Sequence, residues 1–220
     1  GLDMSAVGFH FAKKLSESLD VPIGIIECNW GGTSIFQWLP DEEMLRADDS
    51  IFDVKELINI KNRNKTREYY QEAVNYEKVK MERCKKTPDT GAVDFPDGEG
   101  ITDRTNPYNS NAYGALYESM FRTIVPFNVK GVLWYQGESD RNNPNSDVKA
   151  RYMTGFRILE KVWRSDLLNP CLPIFTVEIA PFDYARWEGR GEICKSAEIR
   201  QAQYELSLDD NVYMISLGDS

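Results

Sequence analysis

Two short stretches of this chain hold residue types able to do chemistry on a bound ligand. The first is Gly131-Val132-Leu133-Trp134-Tyr135-Gln136-Gly137-Glu138-Ser139-Asp140, an apolar run that stops abruptly in an amide and two carboxylates. The second is Asn29-Trp30-Gly31-Gly32-Thr33-Ser34, which follows a largely apolar run over 21–28. A β-branched and aromatic run ending in glycine and acid predicts a buried strand that delivers its C-terminal end to a loop. In open α/β sheets that end is where ligands bind. Consecutive glycines after a strand let the backbone turn sharply and present bare N–H groups. Each stretch also has a plainer reading. Polar residues end many strands, and most Gly-Gly pairs only make turns. Trp30 and Trp38, which flank the glycines, suit the wall of a sugar site or an ordinary core equally well.

The elements that must position these residues can be read in order. Residues 5–18 place Val7, Phe11 and Leu15, followed by Leu19, near helical spacing, with Ser5 set to cap the N-terminus. Residues 21–28 predict a buried parallel strand, with Pro22 tolerated only at its start. From Pro40 to about Gly100 the composition turns charged and polar. Residues 53–86 predict a long, mostly solvated helix, part of an insertion around 41–105 that is no second core. Residues 87–105 have loop composition. A helix over 111–125, ended by Pro126, feeds the strand 129–136. Residues 146–163 predict an amphipathic helix with Tyr152, Phe156, Leu159 and Trp163 on one side. A strand over 172–180, a helix over 197–208 and a strand over 212–217 complete the pattern. Strands alternating with helices predict βαβ units and a mainly parallel sheet in one α/β domain over 1–220.

Composition excludes several functions. A net charge of −9 over 220 residues argues against a nucleic-acid surface, which needs clustered Lys and Arg. No apolar run is long enough to span a membrane. Cys28, Cys84, Cys171 and Cys194 are scattered without metal-ligand spacing. With His10 the only histidine, there is little material for a metal site, and a lone histidine on a helix is more often a packing residue than a base. No phosphate-binding or dinucleotide-binding glycine pattern follows any strand.

Four pieces occur in a familiar order: Ser5-Ala6-Val7-Gly8-Phe9, Asn29-Trp30-Gly31-Gly32-Thr33, Trp134-Tyr135-Gln136-Gly137-Glu138-Ser139 and Ile199-Arg200-Gln201-Ala202-Gln203. Together they resemble the sialate O-acetylesterase family of SGNH hydrolases, related to some acetylxylan esterases. The resemblance runs from about residue 4 to the end, the charged insertion excepted. It implies a three-layer α/β/α, flavodoxin-like fold and removal of O-acetyl groups from sialic acid or related sugars by a serine nucleophile and a histidine base. It implies an acetylated sugar as the substrate, no cofactor or metal, no nucleic-acid or membrane partner, and a secreted or periplasmic location. The oxyanion hole would use Gly31 or Gly32 and Gln136, with Glu138 orienting neighbours and Trp30, Thr33 and Tyr135 facing the substrate. Arg200 would be a supporting cation. Neutral donors fixed around a developing oxyanion are worth ~3 kcal/mol each, and glutamine supplies an N–H₂ without competing charge.

The departures from the family pattern matter equally. No Gly-Gln-Ser block for the nucleophile precedes Ser5, and no Asp-x-x-His block follows the last predicted strand. The chain is therefore expected to be an internal fragment, inactive alone and missing a first strand between 21–28 and 129–136. The exposed sheet edges would invite association with another chain. Gly218-Asp219-Ser220 spells the start of a motif that carries the nucleophile in other SGNH hydrolases, but its order relative to the other blocks is wrong. The rival reading is a non-catalytic carbohydrate-binding or scaffold module on the same frame.

Overall fold

A computed structural model describes residues 4–86, 106–107, 109–142, 147–182 and 195–217. Its centre is a parallel three-stranded sheet of β1 (Val132–Trp134), β2 (Ile174–Val177) and β3 (Val212–Ile215), in that spatial order. The register sets Trp134 beside Thr176 and Thr176 beside Met214, while Leu133, Phe175 and Tyr213 form the next row. Since side chains alternate across a sheet, these two rows face opposite ways.

Helices cover both faces. On the Trp134 side lie α6 (Val148–Asp166) and α7 (Ser196–Leu206), the rings of Trp134 and Trp163 meeting edge-on at 5.3 Å. Tyr152, Phe156, Leu159 and Trp163 all turn inward, as their spacing predicts. On the other side, Phe11 of α1 (Ala6–Leu19) meets Phe175, which stacks on Tyr213. Ser5 caps α1, its Oγ accepting from the Gly8 N–H at 3.3 Å. The outcome is the α/β layering expected from alternating strands and helices.

Three expectations are corrected. Residues 22–30 form no regular element and join no ladder among the described residues, so the strand predicted there has no sheet partner. This segment lies along α1 instead, where the Ser5 N–H donates to Glu27 and the Ser16 hydroxyl to the Val21 carbonyl. Apolar residues alone do not make a strand; the backbone also needs a neighbouring edge to bond.

The second correction concerns the charged insertion. It begins as core: after a 3₁₀ turn (Ile35–Trp38) come α2 (Asp41–Arg46), a 3₁₀ turn (Asp49–Ile51) and α3 (Phe52–Arg63). Met44, Ile51, Val54 and Ile58 are all buried there, joining Ile35, Phe36 and Leu39 of the segment just before it. Residues 51, 54, 58 and 61 form a helical stripe, whose last member, Lys61, is also buried and donates to Asp41 at 2.6 Å and the Tyr113 carbonyl at 2.5 Å. The surrounding charges hide this stripe in a composition average. The single helix expected over 53–86 is broken at Asn64, and its second part, α4 (Arg67–Lys86), has the expected solvated character in its described side chains.

The third correction is small: the helix expected from 111 begins at Ala115 and passes through a π-helical stretch (Tyr117–Phe121) into α5 (Arg122–Ile124).

Candidate functional site

Gln136 leaves the end of β1 and is 8% exposed. Its backbone carbonyl accepts from the Tyr152 hydroxyl at 3.0 Å and from Gln203 Nε2 at 3.1 Å. Its side-chain Nε2 donates to the Thr33 carbonyl at 2.9 Å and to Asp140 at 2.5 Å. The strand end and the glycine turn therefore meet, although 103 residues separate the bonded pair. Gln136 Oε1 is buried without a hydrogen-bond partner among the described residues.

Gln203 stitches this end of the sheet together from α7. Its amide oxygen accepts from the Ile179 N–H at 3.1 Å, and its Nε2 also reaches the Val177 carbonyl at 3.2 Å. Gly137 then turns the chain at φ +148, a conformation L side chains rarely adopt. A Cβ there would stand 2.9 Å from Ile179 Cγ2 and 3.0 Å from Ile199 Cγ2. Glycine is thus required both by the backbone angle and by the space.

The facing turn is braced from within. The Thr33 hydroxyl donates to the Trp30 carbonyl at 2.8 Å and accepts from Trp38 Nε1 at 3.0 Å. Ser34 caps the following 3₁₀ turn, and Gln37 closes the cap by accepting from the Ser34 N–H at 2.6 Å. Asp140 joins the halves: it accepts from the Ser34 hydroxyl at 2.7 Å and the Ile35 N–H at 3.0 Å, besides Gln136. Enclosure of its carboxyl pushes the Asp140 pKa above the ordinary carboxylate range, against the pull of these donors and of Arg151. Burial likewise raises the Tyr152 phenol far above its usual value, which keeps it a donor.

The expected site residues therefore separate into two groups. Gln136 bonds the carbonyl of Thr33, the residue that follows Gly31 and Gly32, with Gly32 at φ +73 and open space beside both glycines. Trp30 (53% exposed) and Tyr135 (44%) flank the turn and the strand end as accessible aromatics. Thr33 points inward, only 5% exposed, its hydroxyl engaged inside the turn. Half-buried Glu138 makes no side-chain hydrogen bond to a described residue; the orienting bonds come from Asp140, Tyr152 and Gln203. His10 lies exposed on α1, and Ser5 serves as its cap. Residues 218–220 lie outside the described residues.

Ser34 and Asp140 went unassigned at the sequence level. The available signal was an acid four residues beyond Gln136, and it names no partner. Gln203 did stand within one of the four family-like pieces. A separate cleft of about 860 Å³, lined by Asp41, Lys61, Lys65, Glu118 and others, shares no residue with this cluster. Among the described residues, no three His, Cys, Asp or Glu side chains converge to hold a metal ion, and no helix is long and apolar enough to cross a membrane.

A family model described as carbohydrate esterase, sialic acid-specific acetylesterase matches residues 97–218, more than half of the chain. The chain belongs to this family. Among curated relatives, mouse sialate O-acetylesterase is 27% identical over 161 residues, covering 73% of this chain and 25% of the mouse protein. The human protein of the same name is 24% identical over 161 residues, covering 73% of this chain and 21% of its own length. The chain thus spans about a quarter or less of these relatives. The solved structure of a carbohydrate acetylesterase from Xanthomonas citri superposes with a TM-score of 0.62 over 99% of this chain and 35% of its own, at 22% identity. That likeness supports the α/β fold.

Proposed function

We propose that this member of the carbohydrate esterase family provides the oxyanion-binding frame of an enzyme that removes O-acetyl groups from sialic acid or related sugars. The observation that carries the reading is the hydrogen bond from the Gln136 amide to the Thr33 carbonyl, at the residue next to Gly31-Gly32. A serine-hydrolase mechanism places negative charge on one oxygen of a tetrahedral intermediate, and prearranged neutral donors stabilise it. In this reading a backbone N–H of Gly31 or Gly32 and the Gln136 amide supply those donors. The amide would share with the oxyanion an N–H that now bonds Thr33 or Asp140. Trp30 and Tyr135 offer faces for a sugar ring, and Thr33 holds the turn in shape. The nucleophilic serine and the histidine base come from polypeptide with no counterpart among these residues, so the chain alone is inactive.

The same reading extends to association. The outer edge of β1 and residues 22–30 join no strand ladder among the described residues, and Val7, Phe9, Leu19, Val21 and Ile26, in or close in sequence to 22–30, are exposed. Unpaired edges with apolar flanks favour strand pairing with another chain. A concentration-independent monomer mass by light scattering would count against that extension.

The direct test is fluorophosphonate labelling with peptide mapping, on the chain alone and within any longer polypeptide encoded around it. Labelling only in the longer polypeptide, on a serine outside these residues, is expected. Labelling within this chain would overturn the placement of the nucleophile. No labelling in either, with retained sugar binding, would favour the non-catalytic module, a reading to which the internal engagement of the Gln136 amide lends support.

A further inference from the structure

We propose that Asp140 is a positioning residue whose single carboxylate fixes the glycine turn against the Gln136 side chain and so sets the separation of the two donor groups. The inference rests on the proposed role of Gln136 and deepens it. Asp140 is approached by a hydroxyl from Ser34, a backbone N–H from Ile35 and an N–H₂ from Gln136, at 2.7, 3.0 and 2.5 Å. All are donors, so an acceptor-only group satisfies them together, whereas an asparagine would set its own N–H₂ against one of them. Two of these donors, Ser34 and Ile35, open the 3₁₀ turn that directly follows Gly31-Gly32-Thr33, and one belongs to the strand end. Ser34 and Ile35 lie 106 and 105 residues from Asp140, and Gln136 only 4.

The carboxylate also decides which way the Gln136 amide faces. Its Nε2 lies between two acceptors, the Thr33 carbonyl and Asp140. The reversed amide would aim its oxygen at both, so one orientation is selected, with the N–H₂ against the turn that bears Gly31 and Gly32. Bonds to an ionised group are the stronger class of hydrogen bond. Charged and titratable neighbours from the packed elements do not replace Asp140. Arg151 of α6 acts on it only through its charge and pairs with Asp53, and Tyr152 donates to the Gln136 carbonyl.

The test uses the ¹⁵N-labelled chain and the side-chain amide pair of Gln136, assigned by its disappearance in Gln136→Leu. In Asp140→Asn the pair should exchange with solvent about tenfold faster or more, while the Gln203 pair and the β1–β3 backbone amides keep their protection. In Ser34→Ala the Gln136 pair should stay protected, because Asp140 remains. An unchanged Gln136 exchange rate in Asp140→Asn, or equal loss of protection at Gln203 and the strands, would overturn the inference. Acid titration of the unmodified chain gives an independent reading should the variant not fold. The Gln136 amide shifts should then follow protonation of Asp140, and shifts that stay flat across it would refute the coupling. Failure of the catalytic reading would show as absent fluorophosphonate labelling and leaves these amide signals unaffected.

Discussion

Three glycines of the site make one graded prediction, because the same change, to alanine, meets a different obstacle at each. At Gly31 a Cβ meets nothing within 4 Å and the backbone angle is ordinary. Alanine there should be neutral or stabilising by up to about 1 kcal/mol, through a less flexible unfolded chain. At Gly32 the space is also open but φ is +73, and a side chain in the left-handed region costs roughly 1–2 kcal/mol. At Gly137 both problems arise together. The angle of +148 costs about 1–3 kcal/mol, and a Cβ 2.9 and 3.0 Å from two buried isoleucine methyls adds about 1–3 more. Neither Ile179 nor Ile199 has room to retreat, since both lie in the closed core. Alanine at 137 should therefore destabilise by about 2–6 kcal/mol, a large share of a typical domain's 5–15. Urea unfolding followed by tryptophan fluorescence measures all three variants on one scale. A Gly137→Ala loss below about 1 kcal/mol, or a larger loss at Gly31 than at Gly137, would refute the steric reasoning.

Other outcomes follow from the same contacts. Gln203→Leu strands the buried Ile179 N–H and Val177 carbonyl and removes one donor to Gln136, so a loss of roughly 2–5 kcal/mol is expected by chemical denaturation. Thr176→Val should raise stability by about 1 kcal/mol, read as a higher Tm, since the Thr176 hydroxyl is fully buried with no hydrogen-bond partner among the described residues. Asp140 sets a pH dependence. Its folded pKa lies above the ordinary value of about 3.9, so between that value and the folded pKa the folded state holds a proton that the unfolded state has released, and above the folded pKa both are ionised. Its contribution is fully present below about pH 4 and declines as pH rises through the folded pKa. Stability of the unmodified chain relative to Asp140→Asn should fall over that window and level off above it. A flat difference across acid titration would contradict the shift.

Much of the frame was legible locally. Apolar runs located β1, β2 and β3, and 3.6-residue spacing located α6, because burial of one face leaves its period in the sequence. The helix α1 was also located, although Val7 and Leu19 of its apolar stripe stand exposed. Order and alternation implied parallel pairing, and the Trp-Tyr-Gln-Gly-Glu-Ser and Gly-Gly-Thr stretches pointed to the two halves of the candidate site. The stripe 51/54/58/61 was present too, but lysine at its end and charged neighbours concealed a core helix.

Sequence by itself determined which segments want to be helix or strand, and which residue types stand at the strand ends, since these follow from short-range sterics and the periodicity of burial. Tertiary structure alone decided that residues 22–30 pair with no strand among the described residues, that Thr33 turns inward and that Asp140 binds Ser34, Ile35 and Gln136 together. The reason is physical. A hydrogen bond is worth making only where its partner's position is already held, and here the partners lie some hundred residues apart, at 103 for Gln136 and Thr33 and 106 for Ser34 and Asp140. Packing of the sheet against α6 and α7 brings them within reach, and no local pattern of the chain records that distance.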